Sequence, residues 1–263
     1  LFCESKRYGS RVIFSLGPHA IYTVSEESLL WAKKFADEND SLVHIHLAET
    51  KKEVDDCLAQ HGKRPVEYLA DIGFLGNNVI AAHCAWLSDE EIRILAAQEV
   101  KVVHNSTSNM KLSVGSASPY SKLKSAGLAT CLGTDGASSN NNLDLFEAVK
   151  IASLLEKFYT NDPTAMPAKE ALDLITINPA KAFGLNCGKI EEGRLADLIL
   201  IDLKRPELTP GYNLASDLVY AANGSCVRTV ICDGKVLMEN RKVEGEGEII
   251  EKAREAASGL VKR

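Results

Sequence analysis

Five short apolar runs, separated by longer amphipathic segments, constrain the fold of this chain more than any other feature of its sequence. The runs are RVIFSLGP from Arg11, LVHIHLAE from Leu42, VIAAHCAW from Val79, VKVVHNS from Val100 and LATCLGTD from Leu128. Each run is apolar on both faces, which is typical of strands buried in a parallel sheet. The alternation of such strands with helical segments predicts βα units and an α/β fold.

Helix signals lie between and after these runs. Ser25 is a candidate N-cap for SEESLLWAKKFADEN, and Ser88 with Glu91 forms a capping box ahead of IRILAAQ. The segments DLFEAVKIASLLEKF and AKEALDLITINPAKAF are also predicted to be helical. These segments supply the helices that a parallel sheet needs between its strands.

The sequence changes in character after about Gly188. GRLADLILIDL predicts one strand, CVRTVICDGKVLMEN predicts two strands joined at Asp233–Gly234, and GEIIEKAREAASGLVKR predicts a closing amphipathic helix. We therefore divide the chain into an α/β part at 1–188, a small β part at 189–245 and a C-terminal helix at 246–263.

Composition excludes several classes of protein. Among 263 residues, 30 Lys and Arg against 36 Asp and Glu give a net charge of −6, which argues against a broadly nucleic-acid-binding surface. No apolar run approaches the ~20 residues of a membrane helix, and the opening LFCESKRYGS does not resemble a signal peptide. The seven cysteines form no CxxC pair, which favours reduced thiols and a cytoplasmic location.

Four of the six histidines lie at or near the ends of the apolar runs. They are His19, His46, His83 and His104, and Asp135 ends the fifth run. The carboxyl ends of parallel strands meet at one edge of the sheet, where active sites of such proteins form. A single buried histidine is more often a packed core residue, but four at equivalent positions beside an aspartate predict a shared metal or catalytic site.

The run LVHIHLAE offers more than one interpretation. His44 and His46 point to the same face of a strand, so both are candidate metal ligands, although His44 lies one pleat deeper and is equally well explained as a packed residue. Glu49 is placed to carry protons beside a metal ligand, or to serve as a charge at the start of the next helix. Asp135 suits Zn²⁺ or Fe²⁺ beside imidazoles, and the DGASSNN that contains it also suits a turn.

Five motifs in a fixed order resemble the metal-dependent amidohydrolase superfamily. They are GPHA at 17–20, HLAET at 46–50, AAHC at 81–84, HNSTSNMKL at 104–112 and LGTDGASSNN at 132–141. Within that superfamily they look most like the deaminases of 5′-methylthioadenosine, S-adenosylhomocysteine and 5′-deoxyadenosine. The tail from GRLADLILIDL to GKVLMENRKV is similar to the same enzymes.

The resemblance implies a (β/α)8 TIM-like metallohydrolase barrel with a small flanking β-sandwich domain. It also implies one divalent metal ion, for which Zn²⁺ is our expectation and Fe²⁺ or Mn²⁺ are alternatives. The implied reaction is hydrolytic deamination of an adenine nucleoside with a 5′ substituent, or of adenosine. In it, the metal lowers the pKa of water, hydroxide attacks C6 of the purine and ammonia leaves.

The same resemblance assigns roles to five residues. It makes His46 the metal ligand from the fifth barrel strand, and Asp135 a ligand from the eighth strand that also takes a proton from water. Glu49 would protonate the purine N1, and His83 would hydrogen-bond the nucleophile or the developing tetrahedral centre. His19 would contact the ribose, so that His19, Glu49 and Asp135 all touch the substrate.

One departure from the family pattern is large. The five runs correspond to barrel strands four to eight, and the HxH pair with which the family ends its first strand is not in this sequence. His44 and His46 are not that pair, because HLAET marks them as the fifth-strand motif. Because residue 1 is Leu1, we expect a C-terminal portion of a longer protein, with exposed sheet edges and no activity by itself.

Other functions remain open at this stage. Within the superfamily, guanine deamination, or aminohydrolysis or dechlorination of triazines and other nitrogen heterocycles, would use similar residues. A protein of another class, a non-catalytic scaffold that has lost its metal, is the third hypothesis. Four residues at strand ends argue against it, because a scaffold has no reason to keep them all: His46, Glu49, His83 and Asp135. The resemblance gives no role to His104, and it leaves open whether copies of the chain form a homo-oligomer.

Overall fold

A five-stranded parallel sheet forms the body of the computed structural model, which describes residues 1–261 apart from the side chain of Ser10. Its strands follow one another in chain order, and every neighbouring pair is parallel, which confirms the predicted α/β fold. They are β1 (Ser15–Leu16), β2 (Leu42–Leu47), β3 (Val79–His83), β4 (Lys101–His104) and β5 (Thr130–Leu132).

The helices of this body connect and flank the strands. The first predicted strand shortens to two residues, because Arg11 ends a 3-10 helix at Lys6–Arg11 and the next three residues form no regular element. The α-helices are α1 (Phe2–Ser5), α2 (Glu26–Glu38), α3 (Lys51–His61), α4 (Pro65–Asp71), α5 (Asp89–Ala97), α6 (Ser106–Lys111), α7 (Tyr120–Ser125), α8 (Ala137–Asn140), α9 (Leu145–Thr160), α10 (Ala168–Asp173) and α11 (Ile177–Ala182).

The predicted helix starts at α2 and α5 are confirmed. The Ser25 hydroxyl accepts a hydrogen bond from the backbone N–H of Ser28. Ser88 and Glu91 form the reciprocal capping box, each side chain accepting from the other residue's backbone N–H at 3.1 and 2.8 Å. Capping satisfies backbone donors that would otherwise be left unpaired in the first helical turn.

The segment AKEALDLITINPAKAF forms two short helices, α10 and α11, instead of one. Pro179 has no backbone N–H, and in a continuous helix its ring would clash with the carbonyl of residue i−4, which is Ile175. The chain leaves helical geometry at Thr176, where φ and ψ are −130° and −83°. The break also frees the Leu174 carbonyl to accept a hydrogen bond from the Leu132 N–H at the end of β5.

The two faces of the sheet have different surroundings. On β2, the side chains of Val43, Ile45 and Leu47 are fully buried in the main hydrophobic core, together with residues of α2 and α3. The alternate residues, which include His44 and His46, lie on the opposite face and are half-buried. Packing therefore anchors one face of the strand, and polar groups occupy the other.

A second sheet follows, as predicted, and its strands are antiparallel. They are β6 (Leu198–Ile201), β7 (Val227–Cys232), β8 (Lys235–Glu239) and β9 (Lys242–Val243), of which the sequence analysis missed only β9. Asp233 and Gly234 both have positive φ, of 52° and 76°, as the predicted tight hairpin requires.

The remaining helices lie around and after this second sheet. They are α12 (Leu214–Tyr220), 3-10 turns at Pro206–Leu208 and Gly224–Cys226, and α13 (Glu246–Val261). Helix α13 confirms the predicted closing helix, whose last two residues, 262 and 263, lie outside the described part. No helix within residues 1–261 has both the length and the apolar character needed to cross a membrane. The assignment of the five parallel strands to barrel strands four to eight, and the division of the chain at 188 and 245, stay predictions.

Candidate active site

The predicted site residues lie at one edge of the parallel sheet. His46 is the last residue but one of β2, and His83 and His104 are the last residues of β3 and β4. Asp135 lies three residues after the end of β5, and His19 lies three residues after the end of β1. Because all five strands run in the same direction, these side chains share the carboxyl-terminal edge, as the sequence pattern indicates.

The backbone turns sharply where three of these strands end. Ala48, His83 and Asp135 have positive φ values of 49°, 72° and 62°. This left-handed conformation is uncommon for residues other than glycine, and it persists only where surrounding contacts hold it. Such positions are frequent at functional sites, and these three lie at the edge where the predicted side chains meet, although turns elsewhere, such as those at Asp40 and Glu99, share the conformation.

His46 is held by the loop that follows β1. Its Nδ1 lies 2.7 Å from the carbonyl oxygen of His19, which also accepts the His46 backbone N–H at 3.0 Å. A carbonyl oxygen can only accept, so Nδ1 carries the proton and donates. The lone pair of the neutral ring is therefore on Nε2, the atom that this arrangement leaves free to bind a metal.

His83 joins His46 to a carboxylate. The two imidazole rings stack with centroids 5.3 Å apart and an angle of 23° between their planes. Nδ1 of His83 donates to Oδ1 of Asn109 at 2.7 Å, while Nε2 lies 3.9 Å from Oε2 of Glu49. The His83 side chain is only 1% exposed and that of Glu49 is 16% exposed, so the carboxylate is the more accessible of the two groups.

Glu49 is free for such a role because neighbouring residues cap the next helix. Thr50 is the N-cap of α3 and accepts from the Glu53 backbone N–H at 3.1 Å. The buried Glu53 carboxylate accepts from the N–H groups of Ala48 and Glu49, both at 2.8 Å. Burial raises the pKa of Glu53 to about 6, although these hydrogen bonds oppose the rise. The sequence analysis missed Glu53, which its T-x-x-E spacing after Thr50 indicates.

Asp135 is held by two donors. Its Oδ2 accepts from the Ser108 hydroxyl and its Oδ1 from the Gly136 backbone N–H, each at 2.6 Å. Burial acts to raise the pKa of Asp135, but these hydrogen bonds and the nearby rings of His83 and His46 outweigh it and hold the pKa below its usual value. The group is therefore a carboxylate at neutral pH, which is the form that binds metal or accepts a proton.

The two histidines without an expected role are held differently. His104 is buried, and burial lowers its pKa to about 4, with a further contribution from nearby His83. His44 stacks on Phe183 with ring centroids 5.9 Å apart, and burial lowers its pKa. Both rings are therefore neutral at pH 7, and the contact of His44 with Phe183 favours the packing interpretation.

Two functional candidates were missed in the sequence because their partners are distant along the chain. Ser108 and Asn109 lie on α6, and they contact Asp135 and His83 respectively. The only signal for them was the run of hydroxyl and amide side chains in HNSTSNMKL directly after β4.

The side chains at this edge are of types that bind metal ions, but they are fewer than the ligands that a metal ion needs. An imidazole nitrogen on His46 and a carboxylate on Asp135 are groups that Zn²⁺ binds, and a catalytic zinc site ordinarily has three protein ligands. Within residues 1–261, no group of three or more His, Cys, Asp or Glu side chains is arranged to hold an ion.

Comparison with known sequences shows that the chain is similar to proteins named as deaminases. Residues 4–237 match the model of the amidohydrolase family. The chain is 52% identical to a 5′-deoxyadenosine deaminase of Methanoregula boonei, over 97% of this chain and 58% of that protein. It is 50% identical to 5-methylthioadenosine/S-adenosylhomocysteine deaminase 1 of Archaeoglobus fulgidus, over 95% of this chain and 60% of that protein. The chain thus spans about three fifths of the length of these relatives.

Solved structures of similar enzymes have the same fold as this chain. An adenosine deaminase from Xanthomonas campestris with bound zinc superposes with a TM-score of 0.94 at 34% identity, over 98% of this chain and 60% of that one. The zinc complex of an atrazine chlorohydrolase from Arthrobacter aurescens superposes with a TM-score of 0.79 at 26% identity, over 87% of this chain and 51% of that one. The resemblance seen in the sequence motifs is confirmed, and the chain belongs to the amidohydrolase family.

Proposed function

We propose that this chain carries part of the active site of a metal-dependent hydrolytic deaminase, acting on adenine nucleosides with a 5′ substituent. The observation that carries the proposal is the approach of Glu49 Oε2 to His83 Nε2, at 3.9 Å, on the ring that stacks against His46. A carboxylate thus lies near the Nε2 atom of an imidazole, and the ionised Asp135 interacts with the same two imidazole rings. The names of the similar deaminases support the same reaction class.

His46 through Nε2 and Asp135 through its carboxylate are the residues that would hold the ion. We propose a single Zn²⁺, in keeping with the zinc in the similar deaminase structure, and further ligands from outside residues 1–261. When bound, such an ion lowers the pKa of a coordinated water towards neutrality.

In the proposed reaction, different residues of this chain carry out the separate proton transfers. Asp135 is ionised and accepts one proton from the attacking water, while Glu49 delivers a proton to the purine N1 so that C6 becomes electrophilic. His83 Nε2 hydrogen-bonds the nucleophile or the tetrahedral centre at C6. The amino group at C6 then takes the proton held by Asp135, the C6–N bond breaks and ammonia leaves. The proton on N1 stays on the ring, the C6 hydroxyl gives its proton to Glu49, and the C6 oxygen remains on the product as a carbonyl. General acid–base steps of this kind contribute about 10²–10⁴-fold each to the rate.

For His19 we propose a role in binding the sugar. Its ring is exposed at the rim and lies 4.9 Å from the ring of His46, measured between centroids. Its Nδ1 lies 2.7 Å from the Thr23 hydroxyl, and within residues 1–261 its Nε2 has no hydrogen-bond partner. We propose that this nitrogen contacts a ribose hydroxyl while the adenine lies over the sheet edge.

Ammonia release from a nucleoside panel tests the proposal. The complete gene product, loaded with zinc, is incubated with 5′-deoxyadenosine, 5′-methylthioadenosine, S-adenosylhomocysteine, adenosine and guanine. We expect the 5′-substituted adenine nucleosides to be the best substrates. Release of ammonia from guanine alone would instead assign the protein to guanine deamination.

A second candidate is removal of chloride from a triazine, because a zinc-containing atrazine chlorohydrolase shares the fold. Chloride release from atrazine, with no ammonia from nucleosides, would favour it. A non-catalytic scaffold predicts a folded complete gene product that contains no metal, which elemental analysis would detect.

A further inference from the structure

Helix α6 lies between two of the proposed catalytic groups and contacts both. We propose that α6 is an orienting element of the active site, in which Asn109 and Ser108 are positioning residues for His83 and Asp135. The contacts exist independently of any reaction, and their catalytic meaning rests on the proposed deaminase function. The sequence motif HNSTSNMKL, to which no role was assigned, thereby acquires one.

Asn109 determines which nitrogen of His83 faces the substrate. Its Oδ1 accepts from His83 Nδ1 at 2.7 Å, and both side chains are almost fully buried, so water does not compete for the bond. An amide oxygen only accepts, so Nδ1 carries the proton in the neutral ring. Nε2, on the Glu49 side, is then the unprotonated nitrogen that can receive a hydrogen bond from an attacking water.

Ser108, the residue before Asn109 on the helix, fixes the orientation of the Asp135 carboxylate. Its hydroxyl is completely buried and donates to Asp135 Oδ2 at 2.6 Å. This short bond to a charged acceptor is of the stronger kind, and it restrains rotation of the carboxylate. Together with the Gly136 N–H on Oδ1, it leaves each oxygen of Asp135 one defined donor and a free lone pair.

The helix is itself attached at both ends, which lets it act as a fixed support. At its start, the buried Ser106 hydroxyl donates to the carbonyl of Ala148 in α9 at 3.2 Å. At its end, Lys111 donates to the carbonyl of Ser138 at 3.0 Å and to Oδ1 of Asn141, both in the segment that follows Asp135. Ser108 and Lys111 are three residues apart and share a helix face, so one face of α6 holds the Asp135 loop at two points.

The tautomer of His83 tests the role of Asn109 without any metal or substrate. In the metal-free complete gene product, ¹⁵N NMR of the histidine side chains should show His83 with the proton on Nδ1. Asn109→Leu removes the acceptor, and we expect the signal to change to the Nε2–H form or to a mixture. Asn109→Asp keeps an acceptor oxygen and should keep the Nδ1 proton. An unchanged tautomer in a folded Asn109→Leu protein would overturn the assignment.

A matched pair of serine substitutions tests Ser108. Ser108→Ala and Ser106→Ala each delete a completely buried hydroxyl from the same helix, but only the first bond reaches Asp135. In crystal structures, we expect the Asp135 carboxylate to rotate away in Ser108→Ala and to stay in place in Ser106→Ala. Equal displacement in both variants, or in neither, would contradict the proposal.

Zinc affinity of the complete gene product, measured by competition with a chelator, tests whether Ser108 contributes to metal binding. Loss of a residue that orients a ligand costs about 10–100-fold in metal affinity or activity. We expect Ser108→Ala to show this loss and Ser106→Ala to bind zinc like the wild type, with thermal unfolding recorded for both. Equal affinity in the two variants overturns the Ser108 assignment. A wild type that neither binds zinc nor releases ammonia overturns the proposed function instead, and the tautomer and crystal results still decide the orienting role.

Discussion

His46 and His83 stack with their ring centroids 5.3 Å apart, although they come from different strands. The parallel register sets this pair, because it places Leu47 opposite His83 and brings the ends of β2 and β3 level. Each ring donates a hydrogen bond from Nδ1, His46 to the His19 carbonyl oxygen and His83 to Oδ1 of Asn109. The fold thus leaves the lone pair of each neutral ring on Nε2, and we propose that His46 uses it to bind a metal and His83 to accept a hydrogen bond from the attacking water.

Substitution of His46 should abolish metal binding, and His44 provides the matched control. His46→Ala removes an imidazole whose Nε2 is free, whereas His44→Ala removes one that stacks on Phe183 two residues earlier on the same strand. We expect zinc affinity of the complete gene product to fall in His46→Ala by more than the roughly 10–100-fold lost when only a ligand's partner is removed. His44→Ala should keep its zinc, and equal zinc contents would contradict the assignment of His46.

Glu49→Gln should lower the rate of the chemical step without changing zinc binding. The amide keeps the size of the side chain but cannot deliver a proton to N1, so we expect kcat for ammonia release to fall by about 10²–10⁴-fold. Zinc content and the melting temperature should stay at wild-type values, because Glu53 and Thr50 hold the start of α3. The exposed Glu90→Gln serves as the control, and a Glu49→Gln enzyme with full kcat would remove Glu49 from the mechanism.

Two glycines in the loop that carries Asp135 should differ in their tolerance of alanine. A Cβ at Gly133 would lie 2.5 Å from Oδ1 of Asn105 and 3.0 Å from Cγ1 of Val103, whereas one at Gly136 meets nothing within 4 Å. We expect Gly133→Ala to lower the free energy of unfolding by about 1–3 kcal/mol, the usual cost of overpacking. Gly136→Ala should be nearly neutral in urea unfolding, and equal stabilities for the two variants would refute this packing argument.

His104 should make the protein less stable in mild acid. Burial lowers its pKa from 6.5 to about 4 in the folded state, so between these values the unfolded chain binds more protons than the folded one. The free energy of unfolding therefore falls as pH drops through this window, by up to about 3 kcal/mol from this group. His104→Gln lacks the titrating group, and urea unfolding from pH 7 to pH 4 should show a shallower loss for it than for the wild type. Parallel curves would mean that His104 titrates normally.

Much of the fold was predictable because its signals are local. The apolar runs, the cap at Ser25 and the capping box at Ser88 each lie within a few residues, and all are found in the structure. The convergence of His46 and His83 was also predictable, since the ends of parallel strands share an edge. The break in AKEALDLITINPAKAF was missed, although Pro179 gave a local signal for it.

The orienting residues were not predictable from local pattern. Asn109 lies 26 residues after His83, and Ser108 lies 27 residues before Asp135, so neither bond follows from the periodicity of a strand or helix. The half-buried state of Glu49 and the complete burial of His83 likewise depend on how loops pack over the sheet edge. Sequence reasoning therefore predicted which side chains share the sheet edge, whereas their hydrogen-bond partners required the three-dimensional structure.

Removal and return of the metal tests the central claim most directly. Ammonia release from 5′-deoxyadenosine is measured on the complete gene product as purified, after chelation, and after addition of Zn²⁺. Our account predicts activity that is lost on chelation and restored by zinc, with 5′-deoxyinosine as the product. A folded protein with zinc bound that releases no ammonia from this or any other adenine nucleoside would contradict it.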